Sequence, residues 1–202
     1  KIMFEVFSPH HINYIIIMAL FWVFVPYVSK YYLNNKGQRL VALILIFSII
    51  GLELVDDIYR VFDSKGWHLD SDLPLHMCGF SVFATSWVLL KKHQLVFELC
   101  YFWGLGGAIQ AILTPDASGL LNDFYIFSFM VSHGLIVLNI FYIIFVYGMY
   151  LREGSLKRTI IITNVILIPI ALINYIIDAN YFFLFGPPEN SASPFIFTDQ
   201  FP

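Results

Sequence analysis

The sequence predicts an all-α fold, a polytopic bundle of helices that cross a membrane. Of its 202 residues 59% are hydrophobic and only 12% are charged, whereas a soluble domain carries about 25% charged residues. Mean hydropathy is +0.76. The net charge of −3 excludes a basic nucleic-acid-binding surface, and the apolar content excludes an intrinsically disordered chain.

Six stretches are long and apolar enough to cross a hydrocarbon core, which requires about 20 helical residues. They are separated by short polar connectors at residues 34–38, 63–66, 91–93, 115–119 and 152–155. No internal repeat or soluble segment interrupts them, so residues 1–202 are predicted to form one transmembrane domain. The predicted spans are residues 12–33, 40–61, 73–90, 95–113, 124–150 and 159–182.

Basic residues are confined to alternate connectors, which sets the predicted orientation. Eight of the 11 basic residues lie beside the first, third and fifth connectors: Lys30, Lys36, Arg39, Lys91, Lys92, Arg152, Lys157 and Arg158. Short loops rich in Lys and Arg remain in the cytoplasm. We therefore expect an N-terminus outside and three cytoplasmic loops, as in a bacterial inner-membrane protein.

In that orientation the polar residues of the spans gather in the outer half of the membrane. They are His11, Glu53, Asp57, His76, Cys78, Gln110, Asp116, His133 and Asn174. Ionisable groups at membrane depth are costly, and they generally face a bundle interior or a water-filled cavity. The pattern predicts a polar cavity open to the outer side, although residues at helix ends would equally suit the membrane interface.

Cys78 and His133 are candidates for covalent catalysis within that half. A histidine can deprotonate a thiol, and the thiolate then attacks an acyl group. The alternative is that Cys78 is a small packing residue and His133 a hydrogen-bond donor between helices. We also expect at least one of the carboxylates Glu53, Asp56 and Asp57 to contact His133, His76 or Arg60, because an unpaired carboxylate is costly at depth.

Metal and cofactor sites are not predicted. The histidines and cysteines show neither the HxxxH nor the CxxC spacing of metal sites. Cys100 lies in the inner half of span four, which places it too far from Cys78 for a disulfide.

Several motifs together resemble the YwaF-like integral membrane proteins, the group that includes transmembrane protein 164. They are Leu-Pro-Leu-His-Met-Cys at residues 73–78, the block at residues 101–111 with Thr-Pro-Asp at 114–116, and Ser-His-Gly at 132–134. Met77 stands where leucine is expected. The resemblance implies a seven-helix protein, with residues 195–202 leading into a seventh span. It also implies a cysteine-dependent acyltransferase acting on phospholipids, with Cys78 as nucleophile and His133 as its histidine.

Three classes of function remain open at the level of sequence. The first is an acyltransferase or lipid hydrolase whose substrate is a phospholipid or other acyl-lipid. In this enzyme Glu53 or Asp57 would orient His133. Gln110 or His76 would stabilise the oxyanion. The second is an accessory or binding subunit that docks on other membrane protein subunits. The third is a transporter, which the apolar inner half disfavours.

Overall fold

The structure is a computed structural model that describes residues 4–64, 66–115 and 122–186. Within those ranges it contains six helices and no β-strand, which confirms the all-α bundle. The helices are α1 (Pro9–Tyr32), α2 (Asn35–Phe62), α3 (Met77–Lys91), α4 (Gln94–Leu113), α5 (Asp123–Phe145) and α6 (Ser155–Ile177). A short 3-10 turn, Tyr181–Phe183, follows α6.

Each helix corresponds to one predicted span. Four of them, α1, α4, α5 and α6, are long and apolar enough to cross a membrane by length and composition. α3 has only 15 residues, because residues 73–76 precede the helix instead of opening it. For α2 and α3, membrane crossing stays a prediction. The expected seventh span at residues 195–202 lies outside the described residues.

The loops alternate between the two ends of the bundle. We call the end that carries the loops after α1, α3 and α5 the basic end. The opposite end, with the loops after α2, α4 and α6, is the acidic end. Polar side chains cap the helices on both: Asn34 accepts a hydrogen bond from the Gly37 amide at the basic end, and Asn122 accepts one from the Tyr125 amide at the acidic end.

α5 is the central helix. It packs against α1, α2, α3 and α4, and two thirds of its apolar stretch is buried inside the protein. Its sequence is apolar on every face, which is typical of a buried helix. α6, by contrast, packs on α4 and exposes most of its surface. The Trp103 indole of α4 donates to the Thr163 hydroxyl of α6 at 2.8 Å, which fixes that contact.

Glycines allow α5 to lie close to its neighbours. A Cβ on Gly104 of α4 would lie 2.5 Å from Ile140 Cδ1 and 2.8 Å from Ile136 Cγ2, both on α5. A Cβ on Gly134 of α5 would collide with the sulfur of Met18 on α1. Small residues permit close contact between membrane helices. The glycines therefore set the spacing of the bundle.

α4 contains a π-helical turn, Gly104–Ala108. A π-helical turn inserts an extra residue and changes the face that the following residues present. It lies beside the first turn of α3, where a Cβ on Gly107 would come 3.3 Å from the Cys78 sulfur. The turn thus shapes the surroundings of the candidate nucleophile.

Glu98 joins three segments at the basic end. Its side chain is fully buried, and it accepts hydrogen bonds from Arg152 Nε at 2.7 Å and from Arg158 Nε at 2.9 Å. Gln94 also donates to it. A buried carboxylate requires such partners. Glu98 therefore ties α4 to the α5–α6 loop and to the first turn of α6.

Candidate functional site

A cavity of about 480 Å³ opens at the acidic end, between α2, α3, α5 and the segment that precedes α3. Its lining includes Glu53, Asp57, His76, Cys78 and His133. Five of the nine residues that the sequence singled out are thus brought to one space. α2 carries the two carboxylates, α3 carries Cys78 and α5 carries His133, whereas His76 lies in the segment that precedes α3.

Cys78 occupies the first turn of α3 and is half-buried. Within the part of the chain that the structure describes, its thiol makes no hydrogen bond, and Glu53 is near enough to interact with it electrostatically. Gly79 allows the backbone of Pro74 to fold against this turn, since a Cβ there would lie 2.7 Å from the Pro74 oxygen. The thiol is therefore held at the cavity wall by close backbone packing.

His133 has a defined ring orientation. Its Nδ1 lies 2.7 Å from the Phe129 carbonyl oxygen and 3.4 Å from the Ser132 hydroxyl, and its ring packs on that of Phe129 at 4.3 Å. A carbonyl only accepts, so Nδ1 carries the proton and the neutral ring keeps a lone pair on Nε2. Nε2 of His133 is thus left as a hydrogen-bond acceptor, and a backbone carbonyl holds the ring where Glu53 or Asp57 was expected to do so.

His76 is held in the opposite tautomer. The Phe182 amide donates to its Nδ1 at 3.3 Å, and its ring packs against Tyr181 and Phe183. With a lone pair on Nδ1, the neutral ring carries its proton on Nε2. His76 is therefore a donor at the wall of the cavity.

The mouth of the cavity is charged. Arg60 Nε donates to Asp56 Oδ2 at 2.6 Å, and Arg60 Nη1 donates to Asp72 Oδ1 at 3.1 Å. The guanidinium also lies over the Tyr125 ring at 5.0 Å, and the Tyr125 hydroxyl donates to Asp63. The Asp56–Arg60 pair confirms the expectation that an outer carboxylate contacts Arg60.

Asp56 and Asp57 contribute two of the carboxylates that line the cavity. Asp56 Oδ1 is buried and accepts no hydrogen bond within the described residues. Asp57 accepts one from the Trp67 indole at 3.3 Å. The four lining carboxylates, Glu53, Asp56, Asp57 and Asp72, face a single lining cation, Arg60. The described mouth is therefore acidic.

Three predicted site residues have other partners. Gln110 donates to the Thr114 hydroxyl on its own helix, beyond the π-helical turn that shifts its face. His11 accepts from the Phe7 amide and its Nε2 bonds the Ile112 carbonyl at 2.7 Å, so it joins α1 to α4.

Asn174 is the third of these residues. Its side chain exchanges two hydrogen bonds of 2.9 Å with the Tyr181 backbone. It therefore holds the turn after α6 and does not line the cavity. Asp116, also predicted for the site, lies outside the described residues.

Among residues 4–64, 66–115 and 122–186, no group of three or more His, Cys, Asp and Glu side chains has the arrangement of a metal site. The chemistry available is that of a thiol, two imidazoles of fixed tautomer and a set of carboxylates.

Some residues that shape the site carry no recognisable sequence signal. The Phe129 carbonyl orients His133, yet a backbone group is invisible to motif analysis. Tyr181 lies 108 residues after Leu73, whose amide it binds at 2.9 Å. The position of Tyr125 could have predicted its place at the cavity, because it lies in the first turn of α5, at the end where the carboxylates gather.

One comparison with known proteins identifies the chain. No curated protein and no solved structure matches it. The model of the TMEM164 family matches residues 6–202, which includes every helix and every lining residue of the cavity. The motifs at residues 73–78 and 132–134, which carry Cys78 and His133, fall inside the match. The chain belongs to the TMEM164 family, and it is an integral membrane protein.

Proposed function

We propose that this protein is a cysteine-dependent lipid acyltransferase or hydrolase, with Cys78 as the nucleophile and His133 as the general base. The observation that carries the proposal is the convergence of Cys78 and His133 on one cavity, with His133 held in the tautomer of a base. The resemblance stated from the sequence motifs supports the same assignment.

The first half-reaction forms a thioester. His133 Nε2 removes the Cys78 proton, and the thiolate attacks the acyl carbonyl of a phospholipid ester. The tetrahedral intermediate collapses by breaking the ester C–O bond. The departing lysolipid oxygen takes the proton from the His133 imidazolium, which leaves an acyl group on Cys78.

The second half-reaction regenerates the thiol. An acceptor hydroxyl, from a lysolipid or from water, loses its proton to His133 Nε2 and attacks the thioester. The C–S bond breaks and the thiolate recovers the proton from His133. A lysolipid acceptor gives acyl transfer, whereas water gives hydrolysis.

His76 is suited to stabilise the oxyanion of both intermediates. Its Nε2 carries the proton in the neutral ring, because Nδ1 accepts from Phe182. A donor aimed at developing negative charge is worth about 10²–10³ in rate. Gln110, the other candidate, is committed to Thr114.

The outer orientation of the site is also a proposal. With the basic loops in the cytoplasm, the cavity faces the outer half of the membrane, where an acyl-lipid can enter from the leaflet. Introduced cysteines in a Cys78→Ala, Cys100→Ala background test this. Asp70→Cys in the α2–α3 loop should react with a membrane-impermeant thiol reagent in intact cells, and Lys36→Cys should not. The reverse pattern would place the cavity on the cytoplasmic side.

The decisive experiment follows acyl chains. The protein is reconstituted in phospholipid nanodiscs with a phospholipid that carries an isotope-labelled acyl chain and with an unlabelled lysophospholipid. Mass spectrometry then measures the labelled transfer product and the labelled free fatty acid. We expect the wild-type protein to transfer or release the label and to carry a hydroxylamine-sensitive acyl group on Cys78. Cys78→Ala should abolish both signals, while its stability falls by only about 1 kcal/mol.

Cys100→Ala is the matched control. Cys100 is likewise a free cysteine, but it is fully buried in the apolar core near the basic end, so its loss should leave turnover unchanged. Full activity in Cys78→Ala, or a wild-type protein with neither turnover nor thioester, would overturn the enzymatic assignment. In the second case the cavity is better explained as the docking site of an accessory subunit.

A further inference from the structure

A second cavity, of about 410 Å³, lies at the basic end, between α2, α3 and the loop after α5. It shares no residue with the candidate site at the acidic end. Its polar wall contains Arg39, Lys92 and Tyr147, and its apolar wall contains Leu43, Ile46 and Leu90.

Tyr147 organises the two cations. Its hydroxyl donates to the Leu89 carbonyl at 3.0 Å, which fixes the ring at the end of α3. Lys92 Nζ lies 4.2 Å above the centre of that ring, in the geometry of a cation–π contact. Arg39 on α2 is near enough to interact electrostatically with the same tyrosine. Both positive charges are thus near the same tyrosine.

These cations have no acidic partner within the described parts of the chain. Arg152 and Arg158 at the same end are both paired with Glu98, and Arg60 at the other end is paired with Asp56 and Asp72. Arg39 and Lys92 form no such pair. Their charge is therefore available to an anion from outside the protein.

The apolar wall continues directly from the charged one. Arg39, Leu43 and Ile46 follow at spacings of four and three residues, which places them along one face of α2. Leu90 of α3 closes the other side. A hydrocarbon chain can lie along this face while a charged group remains at the membrane surface.

We infer that this cavity binds an anionic phospholipid. The phosphate lies between the Arg39 guanidinium and the Lys92 ammonium, and an acyl chain lies against Leu43, Ile46 and Leu90. Basic pockets between membrane helices bind anionic head groups in this way. A free phosphate ion would use the cations alone, whereas a lipid uses both walls.

Native mass spectrometry of the full chain in a neutral detergent tests this. The protein is titrated separately with phosphatidylglycerol, phosphatidylcholine and inorganic phosphate, and the bound fraction gives an apparent Kd. We expect phosphatidylglycerol to bind most tightly. Arg39→Gln and Lys92→Gln should each weaken its binding about fivefold, and Ile46→Trp should weaken it by filling the apolar wall.

Lys36→Gln is the matched control, because Lys36 is an exposed cation one turn from Arg39 that does not line the cavity. It should leave the Kd within twofold. An equal loss in Lys36→Gln would overturn the site in favour of general charge attraction. Two results would overturn the anionic-lipid assignment. One is equal affinity for phosphatidylcholine and phosphatidylglycerol. The other is displacement of phosphatidylglycerol by inorganic phosphate together with no effect of Ile46→Trp.

Discussion

His133 and His76 line the same cavity, and backbone groups of opposite polarity hold them. The Phe129 carbonyl accepts from Nδ1 of His133 at 2.7 Å, whereas the Phe182 amide donates to Nδ1 of His76 at 3.3 Å. The two neutral rings therefore present different atoms at Nε2, a lone pair on His133 and an N–H on His76. One cavity thus holds two histidines in opposite tautomers.

His133 should be indispensable for turnover. Replacing it by alanine removes the Nε2 lone pair, and we expect the acyl-transfer rate to fall by about 10²–10⁴, the contribution of a positioned general base. Single-turnover measurements of Cys78 acylation by mass spectrometry check this. Ser132→Ala is the control and should have a much smaller effect, because the Ser132 hydroxyl lies 3.4 Å from His133 Nδ1 and is a weaker partner than the Phe129 carbonyl. A His133→Ala variant that acylates Cys78 at the normal rate would remove His133 from the mechanism.

Tyr181 should act on turnover through the position of the segment before Cys78. Its hydroxyl accepts from the Leu73 amide and donates to the Leu69 carbonyl, both at 2.9 Å, and its ring packs on His76. Tyr181→Phe removes both hydrogen bonds, so we expect kcat to fall about tenfold while the free energy of unfolding falls by about 1–2 kcal/mol.

Tyr175→Phe provides the comparison for that change, since Tyr175 is 81% exposed on α6 and should alter neither quantity. Cys78 acylation kinetics and thermal unfolding in detergent measure the two effects. An unchanged kcat in Tyr181→Phe would show that the two hydrogen bonds of the Tyr181 hydroxyl stabilise the turn after α6 without positioning the site.

Composition and charge pattern predicted the helices and the end of the bundle at which the cavity lies. This succeeded because the cost of placing polar groups in hydrocarbon constrains a membrane sequence strongly. Cys78, His133 and Glu53 were also predicted to lie at a similar depth, and each lies in the half of its helix that is nearer the acidic end. Depth does not reveal which way a side chain points.

Three of the residues singled out from the sequence lie away from the cavity for local physical reasons. Gln110 was expected in the cavity because of its depth in the fourth span, but the π-helical turn at Gly104–Ala108 changes the face that it presents. His11 and Asn174 are polar at the right depth, yet each satisfies backbone groups instead. Glu98 is a charged residue in an apolar helix, and its pairing with Arg152 and Arg158 joins residues more than 50 positions apart in the sequence.

Glu98 should stabilise the fold and have no part in chemistry. Glu98→Gln keeps the shape of the side chain but removes the charge that two arginines share, and we expect a loss of about 1–3 kcal/mol in the free energy of unfolding. The same substitution in an Arg152→Gln, Arg158→Gln background should cost much less, because the partners are already gone.

Glu153→Gln in the same loop controls for the change in net charge, because Glu153 takes part here only through its backbone carbonyl, which accepts from Arg158. Unfolding curves in detergent provide the comparison. Equal losses for Glu98→Gln in the two backgrounds would show that Glu98 and the arginines contribute independently.

Gly104 should tolerate no side chain, whereas Gly106 in the same π-helical turn should tolerate one. A Cβ on Gly104 would lie 2.5 Å from Ile140 Cδ1, but one on Gly106 meets nothing within 4 Å. We expect Gly104→Ala to destabilise the protein by about 1–3 kcal/mol through overpacking. Gly106→Ala should be neutral or stabilising, because alanine restricts the unfolded chain.

Ile140→Val deletes the Cδ1 methyl group and should recover part of the loss in Gly104→Ala, although alone it costs about 0.5–1.5 kcal/mol. Thermal unfolding of the four variants in one detergent gives the coupling energy, and strictly additive effects would show that Gly104 and Ile140 do not set the spacing of α4 and α5.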